Sequence, residues 1–152
     1  MPDAPELVHV LHLEVEVAAP IEVGRLTSGL RRVVPIAGGT VSGLFTGRVL
    51  PGGADLQLIR SDTESEVEAR YLLESDEGEL VTVHNWGLRT GSAEDIERLR
   101  RDEPVDPARI YFRGQPRFET ASPRLHRLTT HLYVGVGTRQ PRSVTFDVFE
   151  VQ

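Results

Sequence analysis

Cysteine and lysine are both missing from this 152-residue sequence. Without cysteine there is no disulfide, no thiolate metal site and no cysteine nucleophile. All 17 basic residues are arginine, so no lysine is present to form a Schiff base with a carbonyl substrate. No apolar run approaches the ~20 residues of a membrane span. The start, Met1-Pro2-Asp3-Ala4-Pro5-Glu6, has neither the basic end nor the apolar stretch of a secretory signal. These absences predict a soluble, cytoplasmic protein with no membrane partner. The net charge of −6 argues against an electrostatic nucleic-acid binder.

What is present is a period of two, the period of a strand. From Leu7 to Val17 the apolar residues alternate with His12, Glu14 and Glu16. A glycine-studded strand is expected over Thr40–Leu50. Pro51-Gly52-Gly53 reads as a turn, so Ala54–Arg60 is expected to fold back on it as a hairpin. Further strands are expected at Val67–Glu74, Glu79–Arg89, Ile110–Arg113, Arg117–Thr120, Leu125–Val136 and Val144–Val151. One segment breaks the pattern. Ser92 is a suitable N-cap, Asp95 lies three residues later, and Pro104 ends the segment, predicting a single short helix. The expectation is an all-β fold, one domain over residues 1–152. It is a single antiparallel up-and-down β-barrel of roughly eight to nine strands with one short helix, since closure removes both exposed edges. An open two-sheet sandwich is the other arrangement the pattern allows.

The same pattern narrows the chemistry. The histidines, His9, His12, His84, His126 and His131, form no HxH or HxxxH pair, and an ideal strand places His9 and His12 on opposite faces. No metal site is predicted. The glycine pairs precede no helix, so they form no phosphate loop. No GxSxG is present. Carboxylates, arginines and amides among apolar neighbours remain. Asp55 and Gln57 share one strand face. Arg70 points opposite to the Val67–Leu73 face. Asn85 interrupts a strand within His84-Asn85-Trp86-Gly87, and Trp86 is a stacking platform or a core residue. Arg113 and Glu119 sit among aromatics. On the expected strand Leu125–Val136, Thr129, His131 and Tyr133 fall on the polar side with Arg127, lining a wet lumen or facing solvent. Burial raises a carboxylate's pKa and a nearby arginine lowers it, so such groups build either a register-pinning network or an acid/base site.

Several segments together resemble a known family. They are Arg31 to Gly39, Gly47 to Asp55 with its GGAD, Ala69-Arg70-Tyr71, Tyr111-Phe112-Arg113 with Pro116 to Thr120, Val134 to Gly137, and the closing Asp147 to Val151. The sequence is similar over Leu7–Val151 to the small proteins grouped as domain of unknown function 3237. The resemblance implies an antiparallel β-barrel. It draws attention to the matching polar positions Arg32, Asp55, Gln57, Arg70, Asn85, Arg89, Arg113 and Glu119. Where the family usually has an aromatic after GGAD, this sequence has Leu56. Its usual aromatic-rich run before the last glycines is here Leu125-His126-Arg127-Leu128-Thr129, which implies a specialised ligand.

The resulting expectation is a cofactor-independent barrel enzyme of cyclase, isomerase or lyase type, acting on a small, partly apolar, oxygenated metabolite. Asp55 or Glu119 would move the proton. Arg32 or Arg113 would hold an enolate or carboxylate oxygen. Arg32, Gln57, Arg70, Asn85, Trp86, Arg113, Thr129, His131 and Tyr133 are the candidate ligand-binding residues. The alternative is a small-molecule-binding barrel without chemistry. Homo-oligomerisation is left open.

Overall fold

The computed structural model describes all 152 residues. It has ten strands: β1 Leu7–Val17, β2 Ile21–Leu26, β3 Gly29–Gly43, β4 Gly47–Val49, β5 Ala54–Ile59, β6 Glu64–Ser75, β7 Leu80–Thr90, β8 Tyr111–Thr120, β9 Tyr133–Gln140 and β10 Ser143–Val151. One helix, α1, spans Ala93–Arg100 between β7 and β8. All pairings are antiparallel, and they close into a barrel because β1 pairs with both β10 and β3. Eight lanes form the wall, with two of them interrupted. β1 and β2 follow one edge of β3 in succession, and β4 and β5 follow the other. No helix is long and apolar enough to cross a membrane.

Alternation decides what the barrel contains. Along β7, Val81, Val83, Asn85 and Arg89 are buried while Thr82 and Trp86 face outward. Along β8, Phe112, Gly114, Pro116 and Phe118 are buried while Tyr111, Arg113, Gln115, Arg117 and Glu119 are exposed. The inward rows change character along their length. One end is packed hydrocarbon, with Leu11, Leu13, Leu73, Val81 and Val148 wholly out of water or nearly so. Toward the other end the rows turn polar, through Asn85 and Arg89 on β7 and Asp55 and Gln57 on β5. Burying each large apolar side chain contributes about 1.5–3 kcal/mol, which lets a full apolar end carry a polar one.

Four local expectations are corrected. Pro51-Gly52-Gly53 is not a hairpin turn. Both β4 and β5 lie between β3 and β6 and run in the same direction, so the turn residues bulge out of one continuing lane. The backbone N–H of Ile36 still donates to Gly53 O (2.9 Å), holding the bulge in the wall. Glycine at positive φ (Gly52, 108°) makes this extrusion feasible. Second, the residues expected as two strands around Arg113 and Arg117 form one, β8, because Pro116 needs no ladder donor where it sits.

Third, Leu125–Val136 is not a strand. His126–Thr129 form a short 3-10 turn, and β9 starts only at Tyr133. The faces read for that segment therefore fail: Tyr133 is buried at 5% and Leu132 is exposed at 77%. Fourth, the register of β1 slips between His9 and Leu11, an extra residue that resets the alternation. His9 and His12 consequently share the outer face, where both rings contact Asp147 Oδ1, at 2.9 and 2.8 Å.

Candidate functional site

The polar end of the lumen is built from four lanes. Asp55 and Gln57 come from β5, Arg32 from β3, Asn85 and Arg89 from β7, and Arg139 from β9. Leu99, Arg100 and Asp102, on α1 and just after it, line the mouth. Two small chambers share Asp55, Gln57 and Arg89 in their walls. The one at the mouth is about 70 Å³ and the inner one, reaching Tyr71, Asn85 and Phe146, about 40 Å³.

Asp55 is fixed by the wall itself. The β5–β6 ladder pairs at Ala54, Asp55, Leu58 and Ile59 and is open at the two residues between. In that gap Asp55 Oδ1 accepts the backbone N–H of Glu68 (3.0 Å) and Oδ2 accepts from Gln57 Nε2 (2.9 Å). A side chain thus replaces a missing rung. Burial pushes the Asp55 carboxyl above the ordinary carboxylate value; the Gln57 bond, the Arg89 charge, the Glu68 N–H and the Arg32 charge oppose this less strongly. The guanidiniums act on Asp55 through charge, and the hydrogen bonds act by contact.

Around Asp55 the polar groups are incompletely satisfied. Arg32 Nε, Gln57 Oε1, Asn85 Oδ1 and Arg89 Nε are buried without a hydrogen-bond partner. Asn85, Gln57 and Arg89 are only 4, 6 and 8% exposed. Most buried polar groups in folded proteins are paired, so four orphans around one cavity mark a place for ligand or water. Arg89 lies over the Phe112 ring (5.6 Å to the centroid), and burial lowers its pKa to about 10. Burial also lowers Arg139, which is bonded to Asp102 Oδ1 through Nη2 (3.2 Å) and to Ser143 O through Nη1 (3.2 Å). The Tyr71 phenol borders the inner chamber, and burial and the Asp55 charge push its pKa up.

Of the candidates named from sequence, the lumen gathers Arg32, Asp55, Gln57 and Asn85. The rest lie elsewhere. Glu119 is on the outer wall, accepting from Thr82 Oγ1 (2.9 Å), and does not join Asp55. Arg70 is also outside, 3.6 Å from Glu68. Arg113 stacks over Tyr111 (5.2 Å) and Trp86 Nε1 donates to Glu66 (3.1 Å), both on the outer face. Thr129 closes its own 3-10 turn by donating to His126 O (2.8 Å), and His131 contacts Thr130 Oγ1 (2.9 Å). Tyr133 is packed edge-on against Phe118 and donates to Arg127 O (3.0 Å). Arg70, Glu119, Thr129 and His131 border a shallow outer groove of about 690 Å³. No three His, Asp or Glu side chains are placed to share a metal ion.

Sequence reasoning missed Arg139, Tyr71 and the mouth residues of α1. Arg139 had a signal: it continues the steps of two made by buried Tyr133, Gly135 and Gly137. Ending the expected strand at Val136 rather than Gln140 left Arg139 out of it.

A small closed barrel, apolar at one end and polar, cationic and underbonded at the other, is the class that fold and site define. The chain belongs to the family of proteins of unknown function DUF3237, which it matches over residues 5–151. A curated relative in Rhodopseudomonas palustris, named UPF0311 protein, is 42% identical over 147 residues, 96% of each chain. The crystal structure of a conserved protein of unknown function from the same species superposes with a TM-score of 0.94 at 41% identity, covering 100% of both chains. A more distant barrel from Penicillium herquei, described as an enzyme, has a TM-score of 0.74 at 15% identity, covering 100% of this chain and 98% of that one. That last likeness shows the fold alone.

Proposed function

We propose that the chain is an enzyme that moves protons on a small, partly apolar, oxygenated metabolite, with Asp55 as the acid/base and no metal or organic cofactor. The observation that carries this is Asp55 itself. It is a lumen carboxyl held by the open β5–β6 rung and pushed above its ordinary value by burial, with unpartnered arginine N–H groups beside it. A carboxylate with a raised pKa is a stronger base near neutrality and can return the proton it takes. In the simplest cycle Asp55 removes a proton from the carbon beside a carbonyl. The electron pair moves onto the carbonyl oxygen, and Arg32 or Arg89 stabilises that enolate. Where a carbon–carbon double bond adjoins the α-carbon, the electron pair returns through the conjugated system and the neutral Asp55 delivers the proton to the far alkene carbon, giving the double-bond isomer. Cyclisation or carbon–carbon cleavage would use the same enolate. The Penicillium herquei protein, described as an enzyme, supports a catalytic use of this fold, as analogy only.

One observation favours binding without chemistry. Both Asp55 oxygens already accept hydrogen bonds, as a purely structural carboxylate would.

The test is proton exchange. Cyclic 1,3-diketones and 2-oxo acids are incubated in deuterated buffer with the wild type and Asp55→Asn. Enzyme-dependent deuterium uptake at the α-carbon, lost by at least about a hundredfold in the variant, is the expected result. Uptake that survives the substitution, or an Asp55 carboxyl that titrates at or below its ordinary value by carbon NMR, removes Asp55 from the chemistry.

A further inference from the structure

The lumen's charge is lopsided. At the mouth four guanidiniums, Arg32, Arg89, Arg100 and Arg139, face two carboxyls, Asp55 and Asp102. Two more acids act from outside: Glu22 lies 3.6 Å from Arg32 and is half exposed, and Glu97 lies 3.7 Å from Arg100. Neither reaches Arg89, which is 8% exposed, forms no ion pair and has an unpartnered Nε. The one carboxyl that acts on it, Asp55, does so through charge without a contact ion pair and is shared with Arg32. A buried cation so thinly compensated costs several kcal/mol, so a site that keeps one is built to receive more negative charge. The acid nearest the opening, Asp102, is 58% exposed at the side chain and is bonded to Arg139 from the water side.

We infer that the polar end of the lumen takes an anionic head group, a carboxylate or an enolate of similar size, and that this anion displaces Asp102 from Arg139. The inference rests on the lumen being the working site, and it adds the ligand's charge and the residue that competes with it. The mouth chamber of about 70 Å³ holds about five water-sized atoms. It therefore accepts the head group and leaves the remainder outside the charged part of the chamber. Val17, Pro20, Val34 and Leu99 form the apolar part of the same lining, which suits an apolar remainder. The unfilled acceptors Gln57 Oε1 and Asn85 Oδ1 would take a hydroxyl or enol proton carried by the same ligand.

Asp102 supplies the decisive variant. It sits at φ 55°, a conformation that asparagine adopts readily, so Asp102→Asn keeps the fold while removing the competing charge. Acetate and benzoate are titrated into the wild type against acetamide and benzamide, with the Arg32 and Arg89 Nε–H resonances as the readout. The acids should shift those resonances and their amides should not. In Asp102→Asn the acids should bind about three- to tenfold more tightly, because nothing competes for Arg139. In Arg139→Gln they should bind at least about tenfold more weakly. Amides that bind as well as acids would overturn the anion assignment while leaving proton transfer by Asp55 standing. Equal or weaker acid binding in Asp102→Asn would overturn the exchange. Shifts confined to exposed arginines, or silence from both acids, would overturn the inference altogether. The exchange assay on Asp55 separately decides whether the catalytic reading falls with it.

Discussion

Asp55 couples the site to stability in a direction opposite to most surface carboxyls. Its folded pKa lies above the ordinary 3.8, so the native state holds the proton more firmly than the unfolded chain does. The stability this confers is complete below about pH 3.8 and is lost as pH rises through the folded value. Asparagine stays neutral throughout, and Gln57 can turn its free Oε1 toward the new amide. The melting temperature of Asp55→Asn should therefore gain on the wild type as pH is raised from about 4 to about 8. Parallel curves would mean that burial does not raise this carboxyl. Gly114 gives a second handle. A Cβ there would lie 2.4 Å from Asn85 Oδ1 and 3.0 Å from the Phe146 ring. Gly114→Ala should cost about 2 kcal/mol in urea unfolding, and it should move the Asn85 side-chain amide resonances. The glycine is thus what allows the amide to sit on the lumen floor.

The segment between β8 and β9 shows why some elements were legible in the sequence and others were not. β6 and β7 alternate cleanly, and Asp55 and Gln57 could be placed on one face of β5 by counting in twos. Residues 125–132 also alternate in part, but Leu125 and Leu128 are the buried pair, and a spacing of three belongs to a helical turn. Long-range contacts then settled the segment. Arg127 pairs with Glu150 (Nη2–Oε1 2.5 Å), a carboxylate only 3% exposed, and Tyr133 lies beside it. That pairing cannot be read from local sequence. Arg127 holds the Glu150 pKa down at about 2, so the stabilisation is present above the ordinary 4.5 and fades as pH falls toward 2. Arg127→Ala leaves that carboxylate unpaired and should lower the melting temperature at neutral pH by roughly 3–5 °C, less than loss of a fully buried pair would, because the arginine is half exposed. The deficit should shrink in acid; a deficit unchanged at pH 3 would assign it to packing instead. The bulge in β1 was hidden for a different reason. One extra residue alters no composition, yet it leaves Leu7 exposed while Leu11 and Leu13, in step with it, are buried.

Closure is a property of the entire chain, and only its motive, the hiding of edges, could be inferred beforehand. The first and last strands lie side by side: Leu7 pairs with Val151, and Gln152 N–H donates to Glu6 O at 2.9 Å. Joining residue 152 to residue 1 and opening the chain at the exposed Ser61–Thr63 turn should give a permutant that folds to the same barrel. Its circular dichroism and amide spectrum would check this, and a collapsed, spectrally dispersionless product would argue that β1 must be made first. The wall is not equally strong around its circumference. β8 and β9 share only the rungs Arg113–Val136 and Gly114–Gly135, whereas β6 and β7 are matched from Glu64–Thr90 to Glu74–Leu80. Pulled across that join in an optical trap, the hoop should part there first and at low load, swinging open like a clasp while the remaining staves stay locked together.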